Sequence, residues 1–182
     1  MNYANIKYFD IANGEGVRTS LFVSGCTHHC PECFNEVAWD FCAGEPFTRE
    51  VEDKIVESLR PGYIDGLTLL GGEPMEPANQ RGLVEFVERV RRELPAKTIW
   101  CFTGDLYEDL LREGSPRRTE ATDRLLSCVD VLVDGPYVAA LHDITLRFRG
   151  SSNQRLIDLP ATRAAGEVVL WDDGPVYATH KM

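Results

Sequence analysis

Short apolar runs alternate with helical patterns along most of this 182-residue chain, and this alternation constrains its fold more than any other feature. Apolar runs of four to eight residues predict buried strands, whereas apolar residues three and four positions apart predict helices. Strands are predicted at 18–23, 64–70, 98–102 and 129–133, with a late strand of undetermined direction at 166–171. Four helices are predicted between them. The first is capped by Thr48 and has Val51, Ile55 and Leu59 on one face, and the second is capped by Asn79. Two shorter helices are predicted at about 105–111 and 119–127.

Strand–helix–strand order with short connections implies an α/β fold, a mainly parallel sheet with covering helices. A chain of this length suits a single domain over residues 1–182. Ligands of such sheets bind beyond the carboxyl ends of the strands. Four segments begin where a predicted strand ends: the loop after residue 23, Gly71-Gly72-Glu73, Thr103-Gly104-Asp105 and Asp134-Gly135-Pro136. We therefore expect these segments to meet at one end of the sheet.

The first of these loops carries three cysteines, spaced Cys26-x-x-x-Cys30-x-x-Cys33. Three thiolates on one short loop can hold three irons of a [4Fe–4S] cluster and leave the fourth iron for a substrate. A structural zinc site is an alternative, although such sites usually repeat a C-x2-C pair. Cys42 is close enough in sequence to be a fourth ligand, which leaves a closed four-thiolate site open as well. Cys42, Cys101 and Cys128 each lie among apolar or aromatic neighbours, and their default interpretation is as small buried hydrophobic residues.

The glycine turn at Gly71-Gly72-Glu73 allows a ligand to approach the main chain closely. The carboxylate of Glu73 can accept a hydrogen bond from an ammonium group. Taken alone, the triplet is more typical of a simple turn with an exposed glutamate.

The charge of the chain argues against a nucleic-acid surface, because its formal net charge is −10 and its basic stretches are short. No apolar run approaches the roughly 18 residues of a membrane span. The first residues lack the apolar segment of a secretory signal, so we expect reduced thiols rather than disulfides and a cytoplasmic protein.

The cysteine spacing followed by Phe34 and Asn35 resembles the signature of radical S-adenosylmethionine enzymes. The segment Gly71-Gly72-Glu73-Pro74 resembles the motif with which those enzymes bind methionine. Within this superfamily the chain resembles the activating proteins of anaerobic ribonucleoside-triphosphate reductases. The resemblance covers most of the chain and is carried by residues 10–18, 30–35 with Trp39, 134–137 and 147–155.

The resemblance implies an incomplete (β/α) barrel of the radical S-adenosylmethionine type. Cys26, Cys30 and Cys33 would bind a [4Fe–4S] cluster whose fourth iron is chelated by S-adenosylmethionine. The residues implied in binding this cofactor are Glu32, Cys33, Phe34, Gly71, Gly72 and Glu73. No catalytic residue is implied beyond the cluster and the cofactor.

The implied reaction is reductive cleavage of S-adenosylmethionine to a 5′-deoxyadenosyl radical, which takes hydrogen from a glycine of the large reductase subunit. A reduced flavodoxin- or ferredoxin-type protein would donate the electron. Two other interpretations stay open. One is a radical enzyme acting on a free metabolite, such as a deazaguanine-forming synthase, whose leader resembles Asn13-Gly14-Glu15-Gly16. The other is a non-enzymatic iron–sulfur or zinc protein with four thiolates.

Overall fold

Seven strands form one open sheet in a computed structural model that describes residues 1–33 and 35–174. The strands are β1 (Asn2–Asp10), β2 (Arg18–Val23), β3 (Glu45–Pro46), β4 (Gly66–Gly71), β5 (Thr98–Phe102), β6 (Val131–Asp134) and β7 (Arg155–Asp158). Their order is β3-β1-β2-β4-β5-β6-β7. The central strands β2, β4, β5 and β6 are parallel. The remaining strands β1, β3 and β7 pair antiparallel at the two edges. The α/β class is confirmed, and the sheet is mixed with a parallel centre.

The five α-helices of the described residues pack against one face of this sheet. They are α1 (Arg49–Leu59), α2 (Pro77–Glu93), α3 (Tyr107–Leu111), α4 (Thr122–Cys128) and α5 (Leu159–Ala165), with short 3-10 helices at Glu36–Trp39 and Ala139–Leu141. Each α-helix contributes at least one buried side chain to a single apolar core, among them Ile55, Phe86 and Leu125. Burial of each such side chain stabilises the fold by about 1.5–3 kcal/mol. None of these helices is long and apolar enough to cross a membrane.

Alternate residues of the central strands separate the two faces of the sheet. Leu21, Leu69 and Cys101 belong to the core beneath the helices. Trp100 and Val133, one position out of phase, belong to a smaller cluster on the opposite face. There the covering residues come from loops rather than helices, with Phe148 and Trp171 packing edge-on against Trp100. The face without helices is therefore the one that can hold a ligand.

A buried arginine on this second face holds the segment that joins β1 to β2. Arg18 is 1% exposed and donates from Nε to Thr68 Oγ1 across 2.7 Å. The Thr68 hydroxyl in turn donates to the carbonyl of Asn13 across 2.7 Å, while the Asn13 amide donates to Asp10 across 2.6 Å. Burial lowers the pKa of Arg18 to about 10, so it stays charged at neutral pH. These contacts press residues 12 and 13 against the sheet.

Two predictions about local structure are wrong. Asn79 does not cap α2, which begins at Pro77 after Glu76. The side chain of Asn79 points back from the first turn and donates to the carbonyls of Ser24 and Glu73 at 3.0 and 2.8 Å. Residues 166–171 form no strand, since only Leu170 makes an isolated bridge, to Ile157 of β7.

Three strands were not predicted from the sequence: β1, β3 and β7. The outward residues of β1 leave it without an apolar run, and β7 has only two buried residues. Pairing with a neighbour, rather than local pattern, makes these segments strands. The predicted strands at 18–23 and 98–102 match β2 and β5.

Candidate metal centre

The four strand-end segments surround one cavity of about 650 Å³ at the carboxyl ends of the parallel strands. Each segment contributes lining residues, represented by Cys26, Gly72, Gly104 and Gly135. The predicted convergence of these segments is thus confirmed. It follows from the topology, because the carboxyl ends of parallel neighbours lie at the same end of a sheet.

The cysteine loop leaves β2 through a short backbone-paired stem. The amide of Gly25 donates to the carbonyl of Ala38 across 2.8 Å, and that of Cys26 donates to Trp39 across 3.2 Å. Gly25 has φ +98°, and a Cβ there would lie 2.3 Å from the ring of Phe41. Only glycine fits both the conformation and the space at this point.

The thiols of Cys26, Cys30 and Cys33 all line the cavity and none is in a disulfide. The amide of Cys33 donates to the carbonyl of Cys30 across 3.2 Å, which closes a turn between these two cysteines. Burial raises the pKa of Cys26 to about 11. This thiol must lose its proton to bind a metal. Three thiolates on one loop form a soft donor set suited to an iron–sulfur cluster or to zinc.

The remaining cysteines lie elsewhere. Cys42 is exposed, so its predicted burial is wrong, and it is absent from the cavity wall. Its carbonyl accepts from the side-chain amide of Asn2 across 3.0 Å. Cys101 and Cys128 are buried among apolar side chains, as predicted. The three-cysteine loop is therefore the only group of thiols on this cavity within the described residues.

The glycine turn after β4 packs directly on the stem of the cysteine loop. Gly71 has φ +110°, and a Cβ there would lie 2.7 Å from the backbone of Phe22 and Val23. A Cβ on Gly72 would lie 2.6 Å from the carbonyl oxygen of Gly25. Both glycines line the cavity, but their lack of side chains is required first by contact between two backbone segments.

Glu73 lies in the cavity wall but is almost fully buried, at 1% exposure. Its Oε1 accepts from the amide of Met75 at 2.7 Å, and its Oε2 accepts from the amide of Gly104 at 2.8 Å. The Nε2 of His28 lies 3.1 Å from the same Oε2. A carboxylate offers about four acceptor sites, so these contacts leave Glu73 capacity for one further donor.

An ion-pair chain runs from Glu73 to the far side of the cysteine loop. His28 Nε2 lies 3.3 Å from Asp105 Oδ2, and Arg117 Nε lies 3.0 Å from the same oxygen. Arg117 Nη1 also lies 2.5 Å from Glu76, which accepts from the hydroxyl of Thr27 at 2.6 Å. Contact with Asp105 and then Glu73 raises the pKa of His28 to about 10. The loop histidine is therefore protonated at neutral pH.

Most of these ion pairs could not be predicted from the sequence. Neither His28 nor Arg117 stands in a local pattern that predicts an ion pair. Thr27 and Arg117 are 90 positions apart, and no local pattern links them. The only sequence signal was the position of Asp105 after a predicted strand.

Loops after β6 form the wall opposite the cysteines. Tyr137, Phe148 and Arg149 line the cavity. The side-chain amide of Gln154 donates to the carbonyl of Gly135 across 3.1 Å and thereby joins this wall to the turn after β6. Arg149 is paired with Asp173 at 2.7 Å, so its charge is already balanced within the chain.

The structure thus brings all but one of the predicted cofactor-binding residues to the cavity: Glu32, Cys33, Gly71, Gly72 and Glu73. Glu32 has φ +60°, an uncommon conformation for a residue with a side chain. Phe34 lies outside the described residues. The roles of these residues in binding S-adenosylmethionine stay predictions.

Comparison with known proteins agrees with the cysteine geometry. Residues 12–157 match the family model described as a 4Fe-4S single cluster domain. The chain is 43% identical over 156 residues to the anaerobic ribonucleoside-triphosphate reductase-activating protein of Pasteurella multocida, covering 85% of this chain and 95% of that one. The Escherichia coli K12 protein of the same name is 41% identical, covering 85% of this chain and 96% of its own. The protein of that name from bacteriophage T4 is 39% identical, with coverage of 86% and 93%. The chain belongs to the family of anaerobic ribonucleoside-triphosphate reductase-activating proteins.

Proposed function

We propose that this chain activates an anaerobic ribonucleoside-triphosphate reductase by generating a glycyl radical on it. The observation that carries the proposal is that three unpaired thiols, Cys26, Cys30 and Cys33, share one cavity with the glycine turn 71–73. The printed names of the relatives supply the target enzyme. Unpaired cysteines suit action in the reducing cytoplasm.

The cysteines of the loop would hold three irons of a [4Fe–4S] cluster. The family model supports the cluster, and the exposed position of Cys42 away from the cavity supports three rather than four thiolate ligands. When bound, the cluster supplies one electron for cleavage of S-adenosylmethionine to methionine and a 5′-deoxyadenosyl radical, which takes a hydrogen atom from the target glycine.

The cavity suits S-adenosylmethionine in size and in wall chemistry. Its volume of about 650 Å³ falls within the range of small-molecule sites. The free acceptor site of Glu73 would receive the methionine amine, while Glu32, Phe34 and Gly72 would enclose the cofactor. Leu70, Phe102 and Val133 form an apolar floor on the face of the sheet without helices, which would keep water away from a bound nucleoside.

We also propose that residues 1–182 are a single domain, an incomplete (β/α) barrel of the radical S-adenosylmethionine type. Helices on one face only, and consecutive parallel strands β2, β4, β5 and β6, support a barrel-like winding. The large reductase subunit would cover the open end of the barrel, and a flavodoxin- or ferredoxin-type protein would deliver the electron.

The test is anaerobic reconstitution with iron and sulfide, followed by reduction in the presence of S-adenosylmethionine. We expect 5′-deoxyadenosine to form and, with the reductase subunit added, a glycyl radical signal in electron paramagnetic resonance spectra. Absence of 5′-deoxyadenosine, even with the reductase present, contradicts the proposal. Turnover of a free metabolite without a protein partner would instead favour an enzyme of the deazaguanine synthase type.

A further inference from the structure

Arg117 connects three strand-end segments from a position outside the cavity wall. It lies between α3 and α4 and does not line the cavity. Its guanidinium nitrogens lie 2.5 Å from Glu76 and 3.0 Å from Asp105, and Nη2 donates to the hydroxyl of Thr27 across 3.0 Å. These partners follow β4, β5 and β2 respectively, so one side chain spans the loops after three neighbouring strands.

The contacts end on the two residues that follow the first cysteine. Glu76 Oε1 accepts from both the amide and the hydroxyl of Thr27, at 2.8 and 2.6 Å. His28 lies within 3.3 Å of Asp105. The loop residues between Cys26 and Cys30 therefore contact carboxylates that Arg117 contacts in turn.

Arg117 also balances the negative charge of carboxylates around the cysteine loop. Glu73, Glu76 and Asp105 are three largely buried carboxylates, with side chains 2%, 6% and 16% exposed. Apart from His28, Arg117 is the only basic side chain within ion-pair distance of them in the described part of the chain. A buried carboxylate that loses its partner is costly, and the loop carrying it relaxes toward water.

The backbone of Arg117 is anchored independently of these ion pairs. Its carbonyl accepts from the side-chain amide of Gln80 across 2.7 Å, and Gln80 is fully buried in α2. The guanidinium is therefore presented from a fixed support, which reduces the conformational entropy lost when it binds the loop.

We propose that Arg117 is a positioning residue for the metal centre, which holds Thr27 and His28 so that Cys26 and Cys30 keep a cluster-binding arrangement. The inference rests on one part of the proposed function, namely that these thiols bind the cluster. It does not depend on S-adenosylmethionine or on the reductase.

The test compares Arg117→Gln and Arg117→Lys with Arg118→Gln as a matched control. Arg118 is the next residue, and its contacts are the Leu111 carbonyl and Asp123, away from the cysteine loop. After anaerobic reconstitution, we measure iron per chain, the rate of iron loss to a chelator, and the spectrum of the reduced cluster. Unfolding of each metal-free chain is followed in parallel.

We expect Arg117→Gln to lose iron at least about tenfold faster than the wild type, as is common for changes behind metal ligands. Its reduced-cluster spectrum should shift under conditions in which the metal-free chain is still folded, although that chain should be less stable than Arg118→Gln, because Glu76 and Asp105 lose their cation. Arg117→Lys should be intermediate, because an ammonium cannot reach all three partners in the planar arrangement of a guanidinium. Arg118→Gln should retain iron as the wild type does.

Two outcomes would overturn the proposal: wild-type iron retention in Arg117→Gln, or equal loss in Arg118→Gln. If Arg117→Gln does not fold, Arg117→Lys and Thr27→Val are judged by the same criterion. If Arg117→Gln does fold, the double variant Thr27→Val/Arg117→Gln should lose iron no faster than Arg117→Gln alone. Additive effects of the two substitutions on the rate of iron loss would count against the inference. Chelator kinetics need no substrate, so a failure of the proposed function would leave this test intact.

Discussion

The backbone amide of Glu73 donates a hydrogen bond to the carbonyl oxygen of Gly25 across 2.9 Å, joining the glycine turn after β4 to the stem of the cysteine loop. The neighbouring Gly72 amide donates to Val23 across 2.7 Å. The two motifs singled out in the sequence are thus one continuous backbone structure. A substitution in either motif should therefore alter the geometry of the other.

Gly72→Ala should weaken the metal centre without removing a ligand. Its Cβ would lie 2.6 Å from the carbonyl oxygen of Gly25 and 2.9 Å from that of Ala38, and neither backbone group can move freely. We expect a loss of about 1–3 kcal/mol in the free energy of unfolding, typical of overpacking, and reduced iron per chain after reconstitution. Gly62→Ala is the control, since no atom lies within 4 Å of its added Cβ. Equal iron content in the two variants would contradict this prediction.

Cys42→Ser should leave the cluster intact. The residue is exposed and absent from the cavity wall, so its sulfur is not placed to bind iron there. We expect about four irons per chain and an unchanged cluster spectrum, the content of a [4Fe–4S] centre. Cys33→Ser is the comparison and should lose the cluster. Loss of iron in Cys42→Ser would point to a four-thiolate site.

Arg155→Gln should destabilise the wall opposite the cysteines. The guanidinium contacts both oxygens of Asp134, at 2.9 and 2.5 Å, and Asp134 is fully buried. Removing the arginine leaves this carboxylate without its cation, at a cost of about 3 kcal/mol in the free energy of unfolding. Urea unfolding measures the change.

The control for that experiment is Arg124→Gln. Arg124 makes a similar two-point contact with Glu88 at 2.8 Å, but these two side chains are 50% and 34% exposed. An exposed pair contributes less than about 1 kcal/mol. Similar losses in the two variants would show that burial of Asp134 is not what makes Arg155 important.

Asp10→Asn should reveal a stability contribution that depends on pH. Burial opposes ionisation of Asp10, but hydrogen bonds from Asn13, Ser20 and the Ala12 amide, together with Lys7, lower its pKa from 3.8 to about 2. Because the folded pKa is below the ordinary value, the contribution is present above about pH 4 and is lost as pH falls toward 2. The shift corresponds to about 2 kcal/mol.

Urea unfolding at pH 7, 4 and 3 tests this expectation. The difference between the wild type and Asp10→Asn should be largest at pH 7 and should shrink at pH 3. Asp109→Asn serves as the control, because the side chain of Asp109 is 44% exposed. A difference that stays constant with pH would mean that lost packing, rather than charge, explains the effect.

The features of this protein that depend on local geometry could be predicted from its amino-acid sequence. Alternation and helical spacing reflect which residues of a segment face the core, and they located β2 and β5 at their observed bounds. Cysteine spacing and glycine turns likewise act over a few residues, which is why Cys26, Cys30, Cys33 and Gly72 were found without coordinates. Their meeting in one cavity followed from the parallel order of the strands.

The distant groups that support this cavity could be identified only from the folded chain. Asn79 looks like a helix cap, yet its side chain donates hydrogen bonds to carbonyls in the loops after β2 and β4. Arg117 looks like a surface residue, yet it contacts Thr27 from 90 positions away. Strands β1 and β7 exist because neighbours pair with them. Such contacts are set by the order in which strands assemble and by the need to pair buried charge, and neither leaves a periodic trace in the chain.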